Sequence, residues 1–171
     1  TDRFRLWEIA GAAHADRHLL GPAADLIDCS APVNDGPAHL VAKAALRSLD
    51  GWLREGTLPP TAERIPLSDS ETSPVPLRDG DGVALGGVRT PLVDVPVDAL
   101  SGVPVSSSTI CLLLGSTVPL SDTRIAELYE SRAEYQDLYE ASAVATIAAG
   151  FVLEADHAAL TAYSKPERVA P

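Results

Sequence analysis

Apolar and polar positions alternate in three distinct regimes along the chain. At the start, Phe4-Arg5-Leu6-Trp7-Glu8-Ile9-Ala10 is a short, mostly apolar run that stops in Gly11-Ala12-Ala13-His14. Its length and β-compatible residues predict a strand buried on both faces. Residues 15–36 read as loop, punctuated by Gly21-Pro22, Asp28, Ser30-Ala31-Pro32 and Asn34-Asp35-Gly36. A helix is then predicted, with Gly36 as N-cap and Pro37 at the first helical position. Val41, Ala45, Leu49, Trp52 and Leu53 lie on one stripe at helical spacing, Lys43, Arg47, Asp50 and Arg54 fall off it, and Gly56 is the stop signal.

From Thr57 to Pro119 the periodicity disappears. Nine of the 14 prolines and six of the 12 glycines fall in this stretch, where short apolar runs recur at 82–88, 92–97 and 110–114. So long an irregular segment is uncommon in a compact domain, and its hydrophobic content argues against disorder throughout. The expectation is a segment wrapped over a body that the chain does not itself contain. Helical spacing returns at Ser121, a cap for a helix with Ile125, Leu128 and Tyr129 on its apolar face. After a break near Arg132, Tyr135, Leu138, Ser142, Ala145 and Ala149 continue the pattern to Gly150, and residues 154–163 read as a last short helix. The divisions are therefore 1–56, 57–120 and 121–171.

Charge narrows the partners. Thirteen basic against 24 acidic residues give a formal charge of −11, which disfavours a phosphate backbone and hence nucleic acid. No apolar run approaches the roughly 18–20 residues of a membrane span. Cys29 and Cys111 could form one disulfide; since buried cysteine behaves as a small hydrophobe, free buried thiols are expected.

Among candidate chemical groups, His14 stands out, because loops that leave the carboxyl ends of strands line the active sites of α/β sheets. A hydrogen-bonded loop histidine is the plainer alternative. His14 and His18 share the i, i+4 spacing of a zinc helix, but Ala15-Asp16-Arg17 between them lacks the Glu of HExxH, and no third ligand is evident. His39 and His157 read as surface or packed helix residues. Gly86-Gly87 could form a tight turn that presents Arg89 as a substrate-binding cation, or a turn with a purely structural role. No Gly-x-Ser-x-Gly elbow occurs.

The stretch Leu6-Trp7-Glu8-Ile9-Ala10-Gly11-Ala12-Ala13-His14-Ala15-Asp16 resembles the last core strand and catalytic-histidine loop of α/β hydrolases. Val33-Asn34-Asp35-Gly36-Pro37-Ala38-His39, Gly86-Gly87-Val88-Arg89-Thr90-Pro91, Val95-Pro96-Val97 and Leu114-Gly115-Ser116-Thr117-Val118-Pro119 are similar, in that order, to a bacterial α/β-hydrolase-domain family. The resemblance implies an α/β fold, a mostly parallel sheet with helices on both faces, of which this chain is the C-terminal part. It also implies an esterase-like serine hydrolase whose triad runs Ser, Asp or Glu, then His along the chain. His14 matches the last member, so an upstream portion would carry the Ser and the acid, and a small ester would be the substrate. No metal or organic cofactor is implied, and this chain alone is expected to be inactive. A non-catalytic subunit that retains the scaffold is the competing reading.

Overall fold

A computed structural model describes residues 3–171. Helix α1 spans Arg17–Leu20 and runs into a 3-10 turn over Gly21–Leu26, so the segment read as loop carries two helical turns. Asp16 explains the first, because its carboxylate accepts from the Leu19 N–H and caps the helix.

Helix α2, Ala38–Glu55, ends at the expected Gly56, which lies at φ 74° with its N–H on the Trp52 carbonyl, but starts one residue later than expected: Pro37, not Gly36, is the N-cap. Along its predicted stripe Val41 is buried, Ala45 and Trp52 are half-buried, and Leu49 and Leu53 are exposed; Leu40 and Ala44 are buried beside it, and Leu46 is exposed.

The strand expected at the start is a correction. Segment 4–10 is extended but makes a single parallel bridge, Ile9 to Val88. Ala10 N–H donates to the Val88 carbonyl (3.0 Å), and Val88 N–H donates to Glu8 (2.6 Å). Phe4 and Leu6 are exposed, and Trp7 and Ile9 are half-buried, so the run is covered on one side rather than both. One register position without a neighbouring ladder is too little for a regular strand.

The Pro-rich segment packs against other parts of this same chain. Trp7 Nε1 donates to Pro60 O (2.9 Å), Arg5 Nε donates to Pro59 O (2.9 Å), and buried Val88 lies with Leu40, Val41, Ala143, Val152 and Leu160 in one core cluster. It holds α3, Pro91–Asp94, and two antiparallel strands, β1 (Asp98–Ser101) and β2 (Ser116–Pro119), paired from Asp98↔Pro119 to Ser101↔Ser116. Among the described residues this pair is the one multi-residue sheet, and the Ile9–Val88 bridge supplies the parallel element.

The thiol expectation fails as well. Cys29 and Cys111, both buried, form a disulfide across 82 residues, with Cα atoms 5.6 Å apart. Burial was read correctly, but the fold brings the two loops together, and no sequence spacing encodes that pairing.

The C-terminal helices match their signals. Ser121 Oγ caps α4 (Asp122–Leu128), Ser131 Oγ caps α5 (Arg132–Ala148), Gly150 lies at φ 81°, and α6 spans His157–Thr161. Val95, Val97, Ile125, Tyr129, Tyr135, Tyr139 and Val169 form the aromatic core beneath them. Buried Asp98 accepts from Lys165 Nζ (2.6 Å) and Arg168 Nη1 (3.4 Å), which ties the C-terminal residues to β1.

Candidate active site

His14 lies on a loop that is fixed on both sides while its own side chain is exposed. Before it, Gly11 (φ 73°) turns the chain where a Cβ would meet Leu100 Cβ at 2.9 Å. Ala12 and Ala13 press onto the ends of β1 and β2. A Cβ on Gly102 would lie 2.3 Å from the Ala12 carbonyl oxygen, and one on Gly115 would lie 2.8 Å from Ala13 Cβ. Such approaches need residues without a side chain. After it, Ala15 N–H donates to Leu113 O (2.9 Å), Asp16 caps α1, and Arg17 N–H donates to Asn34 O (2.8 Å). The Cys29–Cys111 disulfide anchors the 3-10 turn Cys111–Leu113 that supplies the Leu113 acceptor.

His18 follows within α1, and its ring stacks on that of His39 from α2, with centroids 3.5 Å apart and planes 4° apart. The His39 Nδ1 is buried and has no hydrogen-bond partner. Burial, then the positive charge of protonated His18, pushes the His39 imidazole below its ordinary 6.5. Asp16 and Asp156 oppose this, and Lys43 reinforces it. Among the described residues no group of three or more His, Cys, Asp and Glu side chains could hold a metal ion.

Arg89 is half-buried, and each of its guanidinium nitrogens donates within the chain: Nε to Asp94, Nη1 to Ala84 O (2.8 Å) and Nη2 to Val93 O (2.9 Å). Gly86 and Gly87 bring this turn against Arg64 O and Glu8 O, where added Cβ atoms would sit at 2.4 and 2.6 Å. The motif thus joins α3 to the extended N-terminal segment. His157 lies in α6 with Nε2 2.8 Å from Glu140 Oε1.

Sequence reading missed Asn34. It stands in a cluster of turn residues, yet it is wholly buried, and Nδ2 donates to Gly11 O (2.7 Å) and Ser101 O (3.0 Å). The one available signal was its place in the Val33–His39 stretch.

A family model described as an alpha/beta hydrolase domain matches residues 1–162. The chain belongs to that family. Neither a curated protein nor a solved structure matches it. Within this alpha/beta hydrolase domain, the exposed histidine stands four residues after Ala10, beyond the Gly11 turn that ends the segment bridged in parallel to Val88. No helix among the described residues is long and apolar enough to cross a membrane.

Proposed function

We propose that this alpha/beta hydrolase domain chain is the C-terminal part of a serine hydrolase acting on carboxylic esters, with His14 as general base. The observation that carries the reading is an exposed imidazole on a loop immobilised at Gly11–Ala13 and at Ala15–Arg17, beyond the Gly11 turn that ends an extended segment. Triad order in this fold assigns the Ser and its acid to an upstream portion. The Ser hydroxyl adds to the ester carbonyl as His14 takes its proton; the tetrahedral adduct expels the alcohol, which receives that proton from His14. Water, deprotonated by His14, then adds to the acyl-serine; the second adduct collapses as His14 returns that proton to the Ser oxygen, releasing the acid and the free Ser.

Surface supports the same reading. The chain exposes 9661 Å², against about 8,000 Å² expected for a compact monomer of its mass. Phe4, Leu6, Leu46, Leu49 and Leu53 contribute apolar area to that excess. An upstream portion docking over the first segment and the second half of α2 would cover them.

A fluorophosphonate probe tests the assignment on a polypeptide that includes the upstream portion. The expected result is covalent labelling of one upstream Ser, slowed by orders of magnitude in His14→Ala. Labelling at an unchanged rate in that variant overturns the role of His14, and absence of labelling in the wild type favours a non-catalytic module.

A further inference from the structure

We infer that Asn34 is the positioning residue of the His14 loop, an inference that rests on the reading of His14 as general base. Both polar groups of its side chain are bonded within the fold. Its side chain is wholly buried. Nδ2 donates to Gly11 O at 2.7 Å and Ser101 O at 3.0 Å, and Oδ1 accepts from Gly36 N–H at 3.0 Å. Its backbone N–H donates to Leu114 O at 3.0 Å, and its carbonyl accepts from Arg17 N–H at 2.8 Å.

These partners bracket the histidine. Gly11 lies three positions before His14 and Arg17 three positions after it, so one residue grips both ends of the segment that carries the imidazole. Ser101 ends β1, and Leu114 adjoins Leu113, whose carbonyl receives the Ala15 N–H. The Gly11 carbonyl belongs to the residue at φ 73° that redirects the chain toward His14, and the Nδ2 bond fixes the plane of the Gly11–Ala12 peptide.

Without the Nδ2 donor, the Gly11 and Ser101 carbonyls would each lose a buried partner. An aspartate in its place sets a carboxylate against both oxygens, acceptor against acceptor, whereas a protonated aspartic acid restores one donor. The predicted consequence is a loosened His14 loop with the α5–α6 core left in place.

Hydrogen exchange measured by NMR on the polypeptide that includes the upstream portion tests it. In Asn34→Ala, protection at Ala12, Ala15 and Arg17 should fall by about tenfold or more beyond any change at Ala143 and Leu160, as local opening requires. Should Asn34→Ala not fold, Asn34→Asp provides the second arm: protection of the same three amides should rise as the pH is lowered and the carboxyl becomes protonated. Equal loss at all sites, no loss at the loop, or no recovery in Asn34→Asp overturns the inference. In the polypeptide with its upstream portion, the same variants should lower kcat for p-nitrophenyl acetate by about 10- to 100-fold, as displaced catalytic groups do, with KM nearly unchanged. Loop loosening in a protein whose wild type cleaves no ester overturns the hydrolase reading and spares the assignment of Asn34 to the loop. An active wild type whose Asn34 variants lose protection uniformly overturns that assignment and spares the hydrolase.

Discussion

The loop around His14 and the helical region α4–α6 are held together by different forces. Around His14 the links are directional: the Asn34 bonds, the Ala15–Leu113 and Arg17–Asn34 backbone bonds, three close glycine contacts and the Cys29–Cys111 disulfide. Beneath α4 and α5 the links are mostly apolar area, with Tyr129 and Tyr135 in edge contact at 5.1 Å and Val95, Val97, Ile125 and Val169 packed around them. The hydrogen bonds and glycine contacts fix position but add little cover, so the loop can lose its geometry while the protein stays folded; the disulfide alone among these links also acts on the whole molecule, by constraining the unfolded chain. Packed area fixes stability, so damage there should act on the whole molecule at once.

The largest effect that separates the two regions is expected from the disulfide. Closing a loop of this length corresponds to roughly 4–5 kcal/mol in the chain-entropy model, and Cys29→Ser with Cys111→Ser should lower the denaturant midpoint accordingly. Exchange should rise first at Ala15, because the turn that receives its N–H is then unanchored. Because global destabilisation raises exchange everywhere, a rise at Ala15 no larger than that at Ala143 and Leu160 would break the distinction.

Next in size is the packed side. Leu160 is fully buried between α5 and α2 residues, and Leu160→Ala should cost about 3 kcal/mol in chemical denaturation. Exchange at Ala15 should then change only in step with global stability. Preferential loosening of the His14 loop would contradict the separation.

A smaller effect is expected at Gly102, where a methyl group would lie 2.3 Å from the Ala12 carbonyl oxygen. Gly102→Ala should cost about 1–3 kcal/mol as overpacking and shift the amide resonances of Ala12 through Ala15. Unshifted resonances would show that the loop does not lean on β1.

The smallest effect concerns pH. His39 titrates below 6.5 in the fold, chiefly through burial. Its contribution to stability is therefore full above about 6.5 and is lost as the pH falls through its folded value. Thermal melts from pH 7.5 to 5 should show this loss, and His39→Gln should remove it. Asp35 acts with the opposite sign at lower pH. Its carboxyl is raised above 3.8, mainly by burial, so its contribution is full below 3.8 and lost as the pH rises through its folded value. An unchanged acid slope in His39→Gln would contradict the stacked, partly buried pair.

Sequence signals made the helices legible because caps and breakers are local chemistry. Ser121 and Gly56 act where they stand, and the start of α4 and the end of α2 follow from them. Position along the chain also singled out His14. What stayed hidden depends on partners distant in sequence: the Cys29–Cys111 bond, the His18–His39 stack and the Asn34 bonds to Gly11 and Ser101. Short strands are expected within residues 57–120, but the positions of β1 and β2 are not legible, because four residues each give too short an alternation to read. The second half of α2 shows the limit from the other side, since the apolar stripe is legible in the sequence but Leu49 and Leu53 on it are exposed.

The central claim is that His14 acts as the base for ester hydrolysis. The most direct measurement is kcat/KM for p-nitrophenyl acetate in a polypeptide with the upstream portion present, comparing His14→Ala with His18→Ala and His39→Ala. The account predicts a fall of about a thousandfold or more for His14→Ala, with far smaller losses in the two controls. Retention of more than about a tenth of the wild-type value, a loss below roughly 1.4 kcal/mol of transition-state stabilisation, would contradict it.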